Sequence, residues 1–148
     1  PGNGAPALIE KKKLDKAIAE LSVNFVTLLG HVKHNEIPAL YRNCDIIIFA
    51  SSCENMPNTL VEGMASGLPI ACSNRGPMPE ILQDGGTYFD PENIDSIYRA
   101  IKTLVKSNKK RLSFSKKSYL LSKNFSWEKC SINTFNFLVE TYDKRMIK

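Results

Sequence analysis

The feature that most constrains the fold is a short apolar run, residues 46–50 (Ile-Ile-Ile-Phe-Ala), followed by a loop and a helix-forming segment. The run has the length of a strand and is apolar at every position, which is typical of a strand buried on both faces of a parallel sheet. We predict a helix over residues 57–66, with Pro57 at its first position and Gly67 ending it in the left-handed conformation. A brief strand at residues 69–72 completes a β-α-β unit, which indicates a parallel sheet.

The rest of the chain alternates in the same way between apolar runs and amphipathic stretches. Two more strands are predicted, at residues 24–29 and 87–89. Predicted helices and helical turns cover residues 6–22, 35–43, 79–83, 93–106, 109–123 and 126–147. The predicted fold class is therefore α/β: a Rossmann-like parallel sheet with helices on both faces. Ligands of such sheets bind at the carboxyl ends of the strands.

Composition narrows the class of protein further. The chain has 148 residues, which fits one domain of ordinary size. No apolar run approaches the roughly 20 residues that a membrane-spanning helix needs. The four cysteines form no C-x-x-C pair, and only His31 and His34 could join them as ligands, so we expect no metal site. Reduced thiols of this kind fit a cytoplasmic protein.

Positive charge is concentrated near the end of the chain. Residues 106–127 contain no acid, and they hold seven cations: Lys106, Lys109, Lys110, Arg111, Lys116, Lys117 and Lys123. The plainer interpretation is a solvated helix face. The alternative is a surface that meets anionic lipid headgroups, which would place the protein peripherally at the inner face of a membrane. Nucleic acid is not expected as a partner, because regular aromatic interleaving and nucleic-acid motifs are lacking.

The loop and helix after residue 50 carry the candidate chemistry. Because a helix start leaves its first amides without partners, we expect the backbone N–H groups of Asn58, Thr59 and Leu60 to be free to bind phosphate. The side chains of Asn58 and Thr59 add hydrogen-bonding groups. Glu62 lies four residues after Asn58 and so shares its helix face, where it could accept hydrogen bonds from a ribose diol. Glu54 lies on the loop beyond the phosphate end. Two glutamates eight residues apart also fit plain surface charge, and only the surrounding strand, loop and helix favour a site.

This segment resembles the Glu-x7-Glu motif of the GT-B glycosyltransferases, specifically the large bacterial class of retaining enzymes called family 4. Further stretches with the same resemblance follow in order over nearly the whole chain. They are residues 25–32 (Phe-Val-Thr-Leu-Leu-Gly-His-Val), 40–45 (Leu-Tyr-Arg-Asn-Cys-Asp), 73–82 (Ser-Asn-Arg-Gly-Pro-Met-Pro-Glu-Ile-Leu), 89–91 (Phe-Asp-Pro) and 125–128 (Phe-Ser-Trp-Glu).

The resemblance implies transfer of a sugar from a nucleoside diphosphate sugar, a UDP-sugar or a GDP-sugar, with retained anomeric configuration and without a metal or other cofactor. By this similarity Glu54 is the catalytic residue that contacts the sugar, and Glu62 holds the ribose. The residues implied to bind the donor are Glu62, Asn58, Thr59, Leu60, Asn55, Met56, Val32 and His34. The last two match positions that face the base, although His34 equally fits a solvated loop. Glu80 either lines the sugar pocket or caps its short helix.

The resemblance also implies missing parts. In such proteins an Arg and a Lys that clamp the diphosphate, and the N-terminal acceptor-binding domain, lie upstream of residue 1. We therefore expect residues 1–148 to form a partial donor-binding domain that includes C-terminal helices over residues 109–148, lacks the first two strands and is inactive alone. The full-length protein would build surface polysaccharide or lipopolysaccharide. A GT-B nucleotide-sugar epimerase or hydrolase, and a non-catalytic nucleotide-binding module, remain the alternatives.

Overall fold

The computed structural model describes residues 5–21 and 24–146, with side chains from residue 11 to residue 145 apart from the same gap. The chain divides into two compact units, one ending at His34 and one beginning at Asn35. The first unit contains helix α1 (Ala5–Glu20), on which Lys16 and Glu20 form an ion pair one turn apart. A short 3-10 turn (His34–Glu36) spans the division between the units.

The second unit alternates helices and strands. In chain order its elements are α2 (Ile37–Arg42), β1 (Ile47–Phe49), α3 (Asn58–Ala65), β2 (Ile70–Ser73), α4 (Met78–Leu82), β3 (Gly86–Phe89), α5 (Ile94–Lys106), α6 (Asn108–Ser122) and α7 (Trp127–Met146). The last three helices start at polar caps: the side chains of Asn93, Ser107 and Ser126 accept hydrogen bonds from backbone N–H groups three residues on.

The three strands form one parallel sheet in the order β1-β2-β3. Ile47 lies opposite Ile70, and Ile70 lies opposite Gly86. The central strand β2 is buried at every position, which explains why its sequence shows no polar alternation. The predicted α/β class and parallel sheet are confirmed.

Helices cover both faces of this sheet. On one face Ile70 and Cys72 of β2 pack against Leu60 and Met64 of α3 and against the apolar side chains of α4. On the other face Ala71 and Phe89 pack against Ala100 and Leu104 of α5. Helix α6 contributes to both cores, Leu121 to the first and Phe114 to the second. Helices on both faces therefore hold the sheet in place, and with it the loops that follow its strands.

The predicted strand at residues 24–29 is wrong, because the structure has bends and irregular chain there. Apolar residues give a segment only a tendency to form a strand. The extended backbone is stable when a neighbouring strand takes its N–H and C=O groups, and no described residue pairs with this segment. The expectation that two central strands lie upstream of residue 1 stays a prediction.

Helix α3 packs close to β1 because Gly63 is buried at the contact. A Cβ on Gly63 would lie 3.0 Å from Cδ1 of Ile47. The other small residue that could have served this contact, Ala65, is exposed. Gly67 ends the helix with φ +74°, the left-handed conformation predicted for it.

We expect Gly63→Ala to leave the free energy of unfolding within about 0.5 kcal/mol of the parent value. Alanine gains about 1 kcal/mol of helix propensity over glycine. The crowded atom is the end of the Ile47 side chain, which can rotate away at a similar cost. Urea unfolding followed by circular dichroism measures the change, and a loss above about 2 kcal/mol would show that Ile47 is locked.

Candidate functional site

The candidate site lies where the three strands end. Because β1, β2 and β3 are parallel, the loops that follow them meet at one edge of the sheet. Glu54 lies on the loop after β1, Arg75 on the loop after β2 and Asp90 directly after β3. Helix α3 begins at the same edge, so its first turn faces the space between these loops.

The first turn of α3 differs from its predicted form. Pro57 precedes the helix as its N-cap (φ −79°, ψ 77°) and is buried, whereas we predicted it at the first helical position. A tight turn forms around it: the N–H of Asn58 donates to the Met56 carbonyl at 2.9 Å, and the N–H of Leu60 donates to the Pro57 carbonyl at 2.9 Å. Of the three amides predicted to be free, only that of Thr59 lacks a hydrogen bond among the described residues.

The side chains of this turn divide into two groups. Those of Asn58 and Thr59 are exposed and make no hydrogen bond to described residues. The side chain of Leu60 is fully buried in the core, which restricts this residue to a backbone role. One free amide, an amide side chain and a hydroxyl therefore converge at the positive end of the helix dipole. Such a group of donors favours an anion.

Glu62 lies one turn further along α3 and is half-buried. Tyr41 on α2 lies within its electrostatic reach. Burial of the phenol raises the pKa of Tyr41, and the nearby Glu62 carboxylate and Cys44 thiol raise it further. A neutral phenol that the sequence interpretation did not assign to the site therefore lies in the electrostatic surroundings of Glu62. Tyr41 lies on the helix before β1 and Glu62 on the helix after it, so no spacing in the sequence links the two residues.

Glu54 is half-buried in the loop between β1 and α3, and its neighbours Asn55 and Met56 are exposed. The loop after β2 packs against it at Gly76. This glycine has φ +50°, and a Cβ built on it would lie 3.7 Å from the carbonyl oxygen of Glu54. The two loops therefore approach each other closely at the backbone, and this packing holds the backbone of Glu54 in place.

An ion-pair network joins the loops after β2 and β3. The Arg75 guanidinium donates to Asp90 at 3.1 Å and to Glu92 at 3.4 Å. The Glu92 N–H also donates to the Asp90 carboxylate, at 3.1 Å. The bond from the Glu92 amide is the largest cause of a lowered pKa at Asp90, and Arg75 lowers it further. The loop that carries Gly76 is thus tied to the end of the neighbouring strand.

We expect Arg75→Met to raise the pKa of Asp90, which nevertheless stays below the ordinary value because the Glu92 amide bond remains. A carboxylate with a lowered pKa stabilises the fold above its unfolded-state pKa, and this contribution fades as the pH falls through the folded-state pKa. The variant should therefore lose less stability on acidification. Carbon-13 NMR titration of the Asp90 carboxyl group measures the shift, with Lys102→Met as control. An unchanged Asp90 pKa would contradict the network.

The remaining predicted residues lie elsewhere. Val32 is half-buried and His34 is exposed, both in the unit that ends at His34, so their predicted contact with a base stays a prediction. Glu80 is exposed in the first turn of α4, and its side chain makes no capping hydrogen bond. Its assignment to a sugar pocket also stays untested.

Cysteines and metal ligands do not form a second site in the part of the chain that the structure describes. No three His, Cys, Asp or Glu side chains there are grouped as a metal site would require. Burial raises the pKa of the Cys72 thiol to about 12, which keeps it protonated, and the other three cysteines are exposed and unpaired. No helix over residues 5–21 and 24–146 combines the length and the apolar character needed to cross a bilayer.

Comparison with known proteins places this chain in a family. Residues 8–120 match the protein family described as "Glycosyl transferases group 1". O-antigen chain mannosyltransferase B of Escherichia coli is 30% identical over 112 residues, which are 76% of this chain and 29% of that protein. The chain spans about a third of the length of the curated relatives it matches.

Solved structures agree with this family. The C-terminal domain of LpcC, a group 1 glycosyl transferase of Francisella tularensis, is 26% identical with a TM-score of 0.71, covering 82% of this chain and 64% of that one. HepE of Anabaena, solved with UDP, is 23% identical with a TM-score of 0.77, covering 95% of this chain and 38% of that one. The fold is that of GT-B glycosyltransferases, consistent with their C-terminal half. The chain belongs to the group 1 glycosyltransferase family.

Proposed function

We propose that this chain is the donor-binding part of a longer retaining glycosyltransferase of the family 4 class, which transfers a sugar from a nucleoside diphosphate sugar to an acceptor. The observation that carries the proposal is the first turn of α3. Its free Thr59 amide and the exposed side chains of Asn58 and Thr59 lie between two half-buried glutamates, Glu54 and Glu62. Ribose, diphosphate and sugar map in that order onto Glu62, the helix start and Glu54.

In this proposal the start of α3 receives the diphosphate. Negative charge grows on the leaving diphosphate as the bond to the sugar breaks. The Thr59 amide and the positive end of the helix dipole stabilise that charge without reorganising, which lowers the barrier. In this proposal these groups, together with the upstream Arg and Lys, take the place of a metal ion.

The two glutamates position the ends of the donor. Glu62 accepts hydrogen bonds from the ribose hydroxyls, and the neutral phenol of Tyr41 next to it can donate a further one. Glu54 contacts the hydroxyls of the transferred sugar, with Asn55 and Met56 beside it as further donor contacts. Val32 and His34 would face the base.

The relatives support the substrate class. The Escherichia coli relative is named an O-antigen chain mannosyltransferase, and the HepE structures contain UDP and, in one case, glucose. We therefore propose a UDP-sugar or a GDP-sugar as donor and a surface polysaccharide or lipopolysaccharide as product. An upstream acceptor-binding domain and a basic Arg and Lys pair would complete the enzyme in the cytoplasm. Without them we expect the chain alone to be inactive.

Calorimetric titration of UDP and of GDP into the full-length protein tests the proposal. We expect one nucleotide to bind, and Glu62→Ala to weaken it by roughly tenfold or more, since a charge-assisted hydrogen bond contributes about 1.5–3 kcal/mol. Glu128→Ala, which removes an exposed carboxylate from the first turn of α7, should leave the affinity unchanged. If neither nucleotide binds, or if Glu62→Ala binds the nucleotide as tightly as the parent and the control do, the proposed donor site is wrong.

A further inference from the structure

Helix α6 places Phe114 and Leu121 against the two cores, but it exposes its other large apolar side chains on the opposite, outer face. The face turned to the protein includes the serines Ser115, Ser118 and Ser122, of which the last two are buried. The outer face exposes 64% of Leu112, 44% of Tyr119 and 53% of Leu120. The outer face of a surface helix normally carries polar and charged residues at these positions.

The serine side chains on the inner face are small because the backbone of a glycine lies against them. A Cβ on Gly85 would lie 3.1 Å from the Cα of Ser118, so the helix and this loop touch at the backbone. The Ser115 hydroxyl donates to the carbonyl oxygen of Gly67 at the end of α3. Close packing explains the buried serines. It gives no reason for leucine and tyrosine on the outer face, where a solvated helix would carry polar residues.

Lysines share the outer face with these apolar residues. Lys109, Lys116 and Lys123 recur every seven residues, and Leu112 and Tyr119 follow the first two by three residues. Seven residues are nearly two helical turns, so these side chains form one stripe along the helix. At 1.5 Å per residue the stripe from Lys109 to Lys123 is about 21 Å long.

The charge of the stripe is not neutralised within the described residues. Two cations of the same helix are engaged elsewhere: Arg111 donates to the last carbonyls of α5, and Lys117 pairs with Asp84. By contrast Lys109 and Lys116 have no ion-pair partner, and the Lys123 ammonium lies 4.8 Å from the centre of the Tyr119 ring. Residues 106–127 contain no acid that could balance them.

We propose that this outer face of α6, formed by Lys109, Leu112, Lys116, Tyr119, Leu120 and Lys123, is a docking surface for an anionic lipid bilayer. The leucines and the tyrosine would enter the boundary between headgroups and acyl chains, while the lysines meet lipid phosphates. A lipid surface can bind both the lysines and the apolar side chains of the stripe. The phosphates of a nucleic acid would pair with the lysines, but they would not bury the exposed leucines. The inference does not depend on the donor site.

Cosedimentation of the full-length protein with vesicles tests this surface. We expect binding to vesicles of equal parts phosphatidylcholine and phosphatidylglycerol, and none to phosphatidylcholine alone. Replacing Lys109, Lys116 and Lys123 together by glutamine should lower the partition coefficient on the order of a hundredfold, because each basic residue near such a surface contributes about 1 kcal/mol. High salt should reduce the parent protein to a similar level.

Two further variants separate a specific face from general charge. Glutamine at Lys11, Lys12 and Lys33, all exposed, removes the same charge outside α6 and should change the partition coefficient by less than about threefold. The double substitution Leu112→Ser and Leu120→Ser should weaken vesicle binding roughly tenfold. Because this loss comes from apolar burial, it should be similar at low and at high salt. Equal losses in the two lysine variants, no binding to anionic vesicles, or tighter binding to a DNA duplex than to the vesicles would each overturn the proposal.

Discussion

Glu54→Gln in the full-length protein should lower kcat by a hundredfold or more while leaving UDP or GDP binding nearly unchanged. Glutamine keeps the shape of the side chain but removes the charge that would interact with the reacting sugar. Loss of one well-placed polar group at a reacting centre costs roughly 100–1,000-fold in kcat. Because the nucleotide is held at Glu62 and the start of α3, its affinity should change by less than about twofold.

The measurement is a turnover assay with the radiolabelled donor, paired with calorimetry of the nucleotide. Glu36→Gln is the matched control, since Glu36 is an exposed glutamate in the 3-10 turn before α2. A variant at position 54 with parental kcat would remove Glu54 from the chemistry. Loss of nucleotide affinity at position 54, with none at position 62, would instead mean that the order of ribose and sugar along the loop and α3 is reversed.

Gly86→Ala should destabilise the fold by roughly 2–4 kcal/mol, as overpacking of a rigid core does. A Cβ on Gly86 would lie 2.6 Å from the carbonyl oxygen of Ile70 and 2.8 Å from Cδ2 of Leu82. The Ile70 carbonyl belongs to β2, the central strand, which pairs on both sides and cannot move away. The sheet itself must therefore shift to admit one methyl group.

Gly63→Ala is the control for this substitution because it adds the same methyl group to a buried glycine that faces a flexible side chain. Urea midpoints of the two variants, measured side by side at equal m-values, give the comparison. A Gly86 variant as stable as the Gly63 variant would mean that β2 and β3 are less tightly paired than the structure has them.

Two strands of the sheet could be predicted from short apolar runs in the sequence, although only β2 is buried at every position and Ile48 of β1 is exposed. Residues 46–50 and 69–72 show this pattern and form β1 and β2. Residues 24–29, which are apolar apart from Asn24 and Thr27, are also predicted as a strand, yet they form none. Local sequence supplies the apolar face, but a strand exists only when another backbone pairs with it, and pairing is not encoded within the segment.

The sequence was enough to predict which residues of the site lie together at the start of α3. It was not enough to predict the individual hydrogen bonds there. Glu62 shares a helix face with Asn58 because helical spacing alone determines it. The bonds that occupy the Asn58 and Leu60 amides depend on the backbone angles around Pro57, which residue types do not specify. The electrostatic effect of Glu62 on Tyr41 and the hydrogen bond from Arg75 to Asp90 join separate elements, so no local pattern reveals them.

The Thr59 amide offers the most direct test of the central claim, that the start of α3 binds the diphosphate of a nucleotide sugar. The measurement is a proton–nitrogen correlation spectrum of the labelled full-length protein during titration with UDP and with GDP. We predict that the Thr59 amide proton shifts downfield more than any other resonance of residues 54–66, as a free N–H does when it donates a hydrogen bond to a phosphate oxygen. If the nucleotide saturates the protein and the Thr59 resonance does not move, the diphosphate binds elsewhere and the proposed site is wrong.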